Sequence, residues 1–299
     1  MNSLLASIKL ELLAARRART VQLLLLVFLG MVVASSIIGF LTNQNVTRVY
    51  TEISTEGLTN APNPFEHVSP LFYARNAIIY VTLIGALLAI VLGAQATLRD
   101  RKAGTSGLVL SRPEPGRIHL CGQFAGVAIL LAIVLAVSVA VTWAIIGAIV
   151  GAPLGPDPTM RLIGFGAVSW LLLLSFVLLG MLGGLRSRRE ATALLVPFVV
   201  WSIVAFVIPQ IGTAARPVSL LNPVPATATP GAGFELAEAI TAPFSVTEQF
   251  KLIAGQLLED ATVTGSAGLA LLVLLVTFAV LLVVVLATPR AALLRGLHA

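Results

Sequence analysis

The sequence predicts an all-α membrane protein with six transmembrane helices and both termini in the cytoplasm. The composition is 58% hydrophobic and only 11% charged over 299 residues, and the apolar residues gather in six long runs. Soluble domains are nearer half apolar and a quarter charged, so lipid is the expected solvent for this chain. We expect a single transmembrane domain over residues 1–299.

The six apolar runs are long enough to cross a bilayer, which takes about 20 apolar residues in a helix. They predict spans at about 21–41, 77–98, 120–150, 161–185, 191–212 and 266–288. The first run exceeds the roughly 7–15 apolar residues of a signal peptide, so we expect it to remain as a span. Pro197 and Pro209 predict a kink or a broken end in the fifth span, because proline removes a backbone donor.

The basic residues orient these spans. Fourteen of the nineteen Lys and Arg residues lie in the terminal segments and in alternate loops. Cytoplasmic segments carry the excess of Lys and Arg, so the asymmetry places both termini inside and residues 42–76 and 213–265 in outer loops. The net charge of +6 is explained by this orientation and indicates no nucleic-acid partner. We expect a multi-pass protein of the cell inner membrane, with lipid as its surroundings.

Two segments outside the spans have helical patterns. Residues 1–20 place Leu5, Ile8, Leu12 and Leu13 on one face among basic residues, which predicts an amphipathic helix in the cytoplasmic interface. In the second outer loop, residues 245–248 match a capping box, and apolar residues recur at helical spacing behind them. This pattern predicts an amphipathic helix over about 246–260.

Three glycine pairs have the spacing that allows close approach of helices. They are Gly122/Gly126, Gly147/Gly151 and Gly180/Gly184. The sequence leaves open whether each pair packs inside one bundle or between two chains.

The chain has no recognisable catalytic or metal-binding motif. It contains one cysteine, Cys121, and three widely separated histidines, and it lacks the P-loop, nucleophile-elbow and HExxH patterns. We therefore assign no catalytic or metal-ligating residue and predict no enzyme activity and no cofactor. If ATP drives this protein, another chain must bind and hydrolyse the ATP.

The predicted cytoplasmic segment between spans two and three, residues 99–117, is the candidate site. A charged start leads into a Gly-Thr-Ser-Gly turn, a short apolar stretch and a proline-rich turn. Leu108–Ser111 fits one helical turn ended before Pro113, because a residue before proline disfavours the α region. A short apolar turn on a charged platform suits docking into a groove of a cytoplasmic partner. The candidate residues are Arg99, Asp100, Arg101, Lys102, Gly104, Thr105, Leu108, Leu110, Pro113 and Arg117.

The order of these elements resembles the permease subunits of type-2 ABC transporters, over nearly the whole chain. The local motif runs from Asp100 through Gly104-Thr105, Leu108 and Pro113 to Arg117, and continues into residues 122–126. It is similar to that family's loop between spans two and three, although Asp100 stands near the usual glutamate and Gln123 replaces the usual lysine. In size and layout the chain is also similar to the permeases that serve nitrous-oxide-reductase maturation.

The resemblance implies a specific role for each part. The 99–117 segment is expected to couple the chain to a separate cytoplasmic ABC ATPase, and a second permease chain is expected to complete the transporter. The family favours export. Three other interpretations of the residues remain open: a secondary transporter or channel, a membrane anchor without ATP coupling, and an intramembrane enzyme. The spans carry few polar side chains and no central charge, which is typical of an apolar or amphipathic cargo.

Overall fold

The computed structural model describes residues 3–57, 69–102, 116–187, 189–213 and 221–288. The residues that the structure describes are 85% helical and contain no strand. Six helices are long and apolar enough to cross a membrane: Val21–Thr55, Pro70–Arg99, Ile118–Val150, Pro156–Arg186, Glu190–Ile211 and Ala267–Ala287. They are called spans one to six below. The prediction of an all-α protein with six spans is therefore confirmed.

Eleven α-helices make up these spans and their connections in the described ranges. In chain order they are α1 (Ser3–Arg17), α2 (Arg19–Thr55), α3 (Ala77–Tyr80), α4 (Ala86–Lys102), α5 (Gly116–Val150), α6 (Pro156–Arg186), α7 (Glu190–Ser202), α8 (Ile208–Ile211), α9 (Ala232–Thr241), α10 (Val246–Leu257) and α11 (Ala267–Ala287). A short 3₁₀ segment, Pro70–Ala74, forms the start of span two, and another, Ala242–Phe244, precedes α10. The end of the bundle that holds α1 and Arg99 is called the basic end, and the end that holds α9 and α10 the opposite end.

Span one is longer than the sequence analysis predicts. The helix runs to Thr55, whereas the prediction places an outer loop from residue 42. The reason is that residues 42–55 contain no glycine or proline, and Val46, Val49 and Ile53 continue a helical spacing. The first breaker is Gly57, whose φ of 71° is the left-handed conformation in which glycine commonly follows a helix end.

Spans two and four form the core of the bundle. The most apolar stretches of these spans are 67% and 56% buried, compared with 22% and 17% in spans five and six. Their backbones touch, because a Cβ on Gly93 would meet the carbonyl of Val177 and one on Gly180 would meet the carbonyl of Ile90. The outer spans leave leucine and valine side chains exposed, as lipid-facing surfaces do.

Two π-helical segments interrupt the α-geometry of the spans. Val81–Gly85 lies in span two and Ile203–Val207 lies in span five, just before Pro209. The buried Trp201, in the last turn of α7, donates its indole N–H to the carbonyl of Thr82 at 3.2 Å and so ties the π segment of span two to span five just before the second π segment. Span five is thus continuous through Pro197, and the break in its α-geometry falls beside Pro209.

The segment between spans five and six contains two helices. The predicted helix at about 246–260 is confirmed as α10, while α9 was not predicted. The predicted capping box is wrong, because the Ser245 side chain caps no backbone N–H of α10. Glu248 instead accepts hydrogen bonds from the backbone N–H of Ala226 at 2.8 Å and from the Lys251 ammonium at 2.8 Å.

Candidate functional site

The structure describes the two flanks of the 99–117 segment at the basic end. Arg99, Asp100, Arg101 and Lys102 form the last residues of α4, and Arg117 lies in the first turn of α5. The structure describes the side chain of Arg99 but not those of the other four. The remaining predicted residues, Gly104, Thr105, Leu108, Leu110 and Pro113, lie outside the described ranges.

Arg99 is paired with the N-terminal helix. Its Nη1 lies 2.7 Å from Oε2 of Glu11. The Glu11 side chain is only 5% exposed and the Arg99 side chain 30% exposed, so the bond is shielded on one side and reaches solvent on the other. A charge-assisted hydrogen bond of this length is stronger than a neutral one. It fixes the end of span two to the middle of α1.

A second group of polar contacts joins the start of span three to the end of span two and to α1. The side-chain amide of Gln123 donates to the carbonyl of Ala96 at 2.9 Å and lies 3.1 Å from Nε2 of His119. The other ring nitrogen of His119, Nδ1, lies 3.3 Å from the hydroxyl oxygen of Ser7. The imidazole of His119 therefore bridges span three to α1 through polar contacts on both of its nitrogens.

Two glycines let α1 lie directly on span three. A Cβ added to Gly122 would lie 2.5 Å from Cβ of Ser7, and one added to Gly126 would lie 2.5 Å from Cβ of Glu11. Any larger residue at either position would push α1 away. The Gly122/Gly126 pair therefore packs inside one bundle, which is one of the two possibilities that the sequence leaves open.

The other glycine pairs behave differently from each other. Gly180 and Gly184 pack on span two, where added Cβ atoms would meet the carbonyl of Ile90 and the hydroxyl of Thr97. Gly147 has only ordinary contacts, and Gly151 has open space around it and a φ of 72°. Gly151 therefore serves the turn after span three, and its spacing from Gly147 marks no tight helix contact within this chain.

The predicted amphipathic helix is present as α1, but its buried face is not the leucine face. Glu11 and Ala15 are buried against the bundle, whereas Leu5 is 57% and Leu13 45% exposed. Small and polar residues thus face the protein, and leucines face away. This leaves the leucines available to the membrane interface, as the sequence predicts.

Arg99 is a predicted site residue, but the four other side chains that form this polar junction between α1 and the ends of spans two and three were not predicted. Ser7, Glu11, His119 and Gln123 lie on α1 and α5, outside the 99–117 segment. A signal was present, because Ser7, Glu11 and Ala15 recur every four residues on one face of α1 and match the spacing of Gly122 and Gly126. With the small residues on both sides, that match indicates two helices in close contact.

Within the described ranges, no three His, Cys, Asp or Glu residues are close enough together to hold a metal ion. Cys121 is partly buried and unpaired by any disulfide. The polar junction has a mechanical consequence: it connects α1, the end of span two and the start of span three into one unit, and the last two flank the 99–117 segment in the chain.

Residues 5–287 match the family described as ABC-2 family transporter protein, which covers nearly the whole chain. No curated protein matches the chain.

Proposed function

Because the chain belongs to the ABC-2 family of transporter proteins, we propose that it is the membrane-spanning permease subunit of an ATP-driven exporter, coupled to a separate ATPase through residues 99–117. The family membership and the six spans make it a multi-pass membrane protein of a transport system. Permeases of this family generally work with an ABC ATPase. The ATPase chain, a second permease chain and the inner membrane as location are parts of the proposal.

The observation that supports this coupling is the polar junction at the basic end. The two helices that flank the 99–117 segment are bonded to each other through Gln123 and Ala96, and to α1 through Arg99 and Glu11. Force applied to the segment by a partner would therefore reach spans two and three together. A free connector would instead absorb the force within its own backbone.

The side chains of the spans indicate the chemical class of the cargo. The middle of each predicted span carries no ionisable residue, and buried polar side chains there, such as Thr82, Ser138 and Ser175, donate to carbonyls of their own helix. An apolar or amphipathic cargo fits these walls better than an ion does. A narrower role in the maturation of nitrous-oxide reductase is a proposal that rests on size and layout alone.

A secondary transporter is the second candidate, favoured by one observation. Spans two and five hold corresponding positions in the two three-span halves, and each contains a π segment. Interrupted helices in matching positions mark substrate sites in secondary transporters. Both helices here remain continuous, however, and neither brings a charged side chain to the interruption. The family membership therefore favours the ATP-driven function.

The test is co-purification of the tagged full chain from native membranes in mild detergent, followed by mass spectrometry. Three forms are compared: wild type, Leu108→Asp/Leu110→Asp, and Leu221→Asp/Leu236→Asp. The last adds the same two charges at exposed apolar positions of the opposite end. Membrane insertion of each form is measured first by carbonate extraction.

We expect a stoichiometric ATPase with a Walker A motif to accompany wild type and the control but not Leu108→Asp/Leu110→Asp, because charge in the apolar turn prevents docking. An ATPase that stays with all three forms would place its contact elsewhere. A chain that purifies alone in every form would favour the secondary transporter or a membrane anchor. Transport that needs no ATP would remove the ATP-driven function itself.

A further inference from the structure

A cavity lies at the opposite end of the molecule, within the segment that joins spans five and six. Its volume is about 360 Å³. Its walls are the end of span five, the irregular chain at 224–228, one side of α9, the start of α10 and the turn at 262–264. Nothing in the proposed coupling to an ATPase uses this cavity.

One buried hydroxyl group in the wall lacks a hydrogen-bond partner. Ser245 is only 2% exposed and lines the cavity, and its Oγ has no partner among the described residues. It also leaves the first backbone N–H groups of α10 uncapped. A buried hydroxyl without a partner is unfavourable, so a molecule that brings an oxygen or a donor to Ser245 gains from the contact.

The charge of the wall is negative. Glu248 is already neutralised, because its two carboxylate oxygens accept from the Lys251 ammonium and from the backbone N–H of Ala226. Glu238 also lines the cavity, and no hydrogen bond or ion pair reaches its carboxylate within the described ranges. No Lys, Arg or His lines the cavity in that part of the chain. A positively charged ligand is therefore favoured over an anion.

The wall also presents hydroxyl oxygens that accept hydrogen bonds. Thr241 and Thr262 line the cavity, and their hydroxyl protons are already donated to oxygens of the protein, so their oxygens are left to accept from a ligand. Since a water molecule takes up about 30 Å³ in the liquid, the cavity holds on the order of a dozen non-hydrogen atoms. A ligand of this size can reach Glu238 and Ser245 together.

We propose that this cavity binds a small ammonium compound that carries several hydroxyl groups, with the ammonium against Glu238 and a hydroxyl against Ser245. The same chemistry occurs in a free amino sugar and in the ammonium headgroup of a lipid. The segment that forms the cavity joins two spans, so both sources have access to it.

The test uses three sugars of one shape and different charge: glucosamine, glucose and glucuronate. Each is titrated by calorimetry into the full chain in nanodiscs of phosphatidylglycerol, which has no amine. We expect glucosamine to bind about tenfold more tightly than glucose, because a hydrogen bond to a charged group adds to the shared contacts. Glucuronate is expected to bind most weakly.

Variants assign the preference to the wall. Glu238→Gln should abolish the preference for glucosamine over glucose while glucose binding remains, which also shows that the cavity is still folded. Glu235→Gln is the matched control, because this acid is exposed on the same helix and does not line the cavity. Ser245→Ala should weaken glucosamine and glucose alike.

Nanodiscs that contain phosphatidylethanolamine separate the two sources. If the lipid headgroup fills the cavity, glucosamine binding is lost in these discs and kept in phosphatidylglycerol. If a soluble amine is the ligand, binding is the same in both. The proposal is overturned by equal binding of all three sugars, by strongest binding of glucuronate, by no binding in phosphatidylglycerol discs, or by a glucosamine preference that survives Glu238→Gln. These measurements need no ATPase, so their failure leaves the coupling proposal untouched.

Discussion

The contact between α1 and span three can be tested by adding one methyl group. Gly126→Ala places a Cβ 2.5 Å from Cβ of Glu11 and 2.9 Å from its Cγ. Non-bonded carbon atoms prefer about 3.5–4.0 Å, so α1 must retreat by roughly an ångström for the methyl group to fit. The Glu11–Arg99 bond of 2.7 Å lies on the retreating side.

The magnitude follows from two opposing terms. Overpacking at a tight contact costs about 1–3 kcal/mol. Replacing glycine by alanine inside a helix is worth about 1 kcal/mol in the opposite direction. A control isolates the second term, since Gly30 lies in span one with nothing within 4 Å of the added Cβ. Gly126→Ala should therefore be about 1–3 kcal/mol less stable than Gly30→Ala, because the overpacking cost is the only difference between them.

Two measurements check this prediction in detergent: the free energy of unfolding and the rate of tryptic cleavage after Arg17. Arg17 is exposed at the end of α1, and cleavage there reports release of the helix from the bundle. We expect faster cleavage in Gly126→Ala and an unchanged rate in Gly30→Ala. Equal stability and equal cleavage in the two variants would mean that α1 does not rest on span three, and the junction at the basic end would lose its basis.

Two further predictions concern single bonds. Arg99→Gln should lower the free energy of unfolding by about 1–3 kcal/mol, because it leaves the buried Glu11 carboxylate without its guanidinium partner. In a double-mutant cycle, Glu11→Gln/Arg99→Gln should cost less than the sum of the two single changes. Strict additivity would show that the pair contributes nothing to stability. Trp201→Phe should lower the free energy of unfolding by about 1–2 kcal/mol, since the Thr82 carbonyl loses its donor while an aromatic ring remains. Thermal unfolding measures this loss, and Trp143→Phe, which removes an exposed indole, is the control.

The spans were predictable because each is a long apolar run between charged or turn residues. The boundaries of the spans were less predictable, as span one shows. Residues 42–55 are polar enough to suggest a loop, but local helix pattern and the absence of a breaker before Gly57 decide the backbone. The sequence also offered Ser245 as a cap for α10, whereas Glu248 is taken by Ala226 and Lys251, contacts that only the folded segment brings together.

The candidate site was predictable in place but not in composition. The charged segment between spans two and three stood out by its turn residues and by its resemblance to a family loop. Glu11 did not stand out as a site residue, because an acidic residue in a basic, leucine-rich helix is normally an ordinary surface residue. Its burial depends on Gly126, which lies more than a hundred positions away in the chain. Such pairing over long separation has no local signal beyond the matched spacing of small residues.

Span two connects the two regions that have been assigned roles. It carries an ion pair at each end: Arg99 binds Glu11 at the basic end, and Arg75 binds Asp260, just after α10, at 3.4 Å. Between them lies its π segment, held by Trp201 of span five. A π segment lets a helix change its register locally, and such segments often mark functional sites. If a partner moves the 99–117 segment, span two is therefore the element that would carry the motion to the cavity at the opposite end, and binding in that cavity should differ between the ATP-bound and ATP-free complexes.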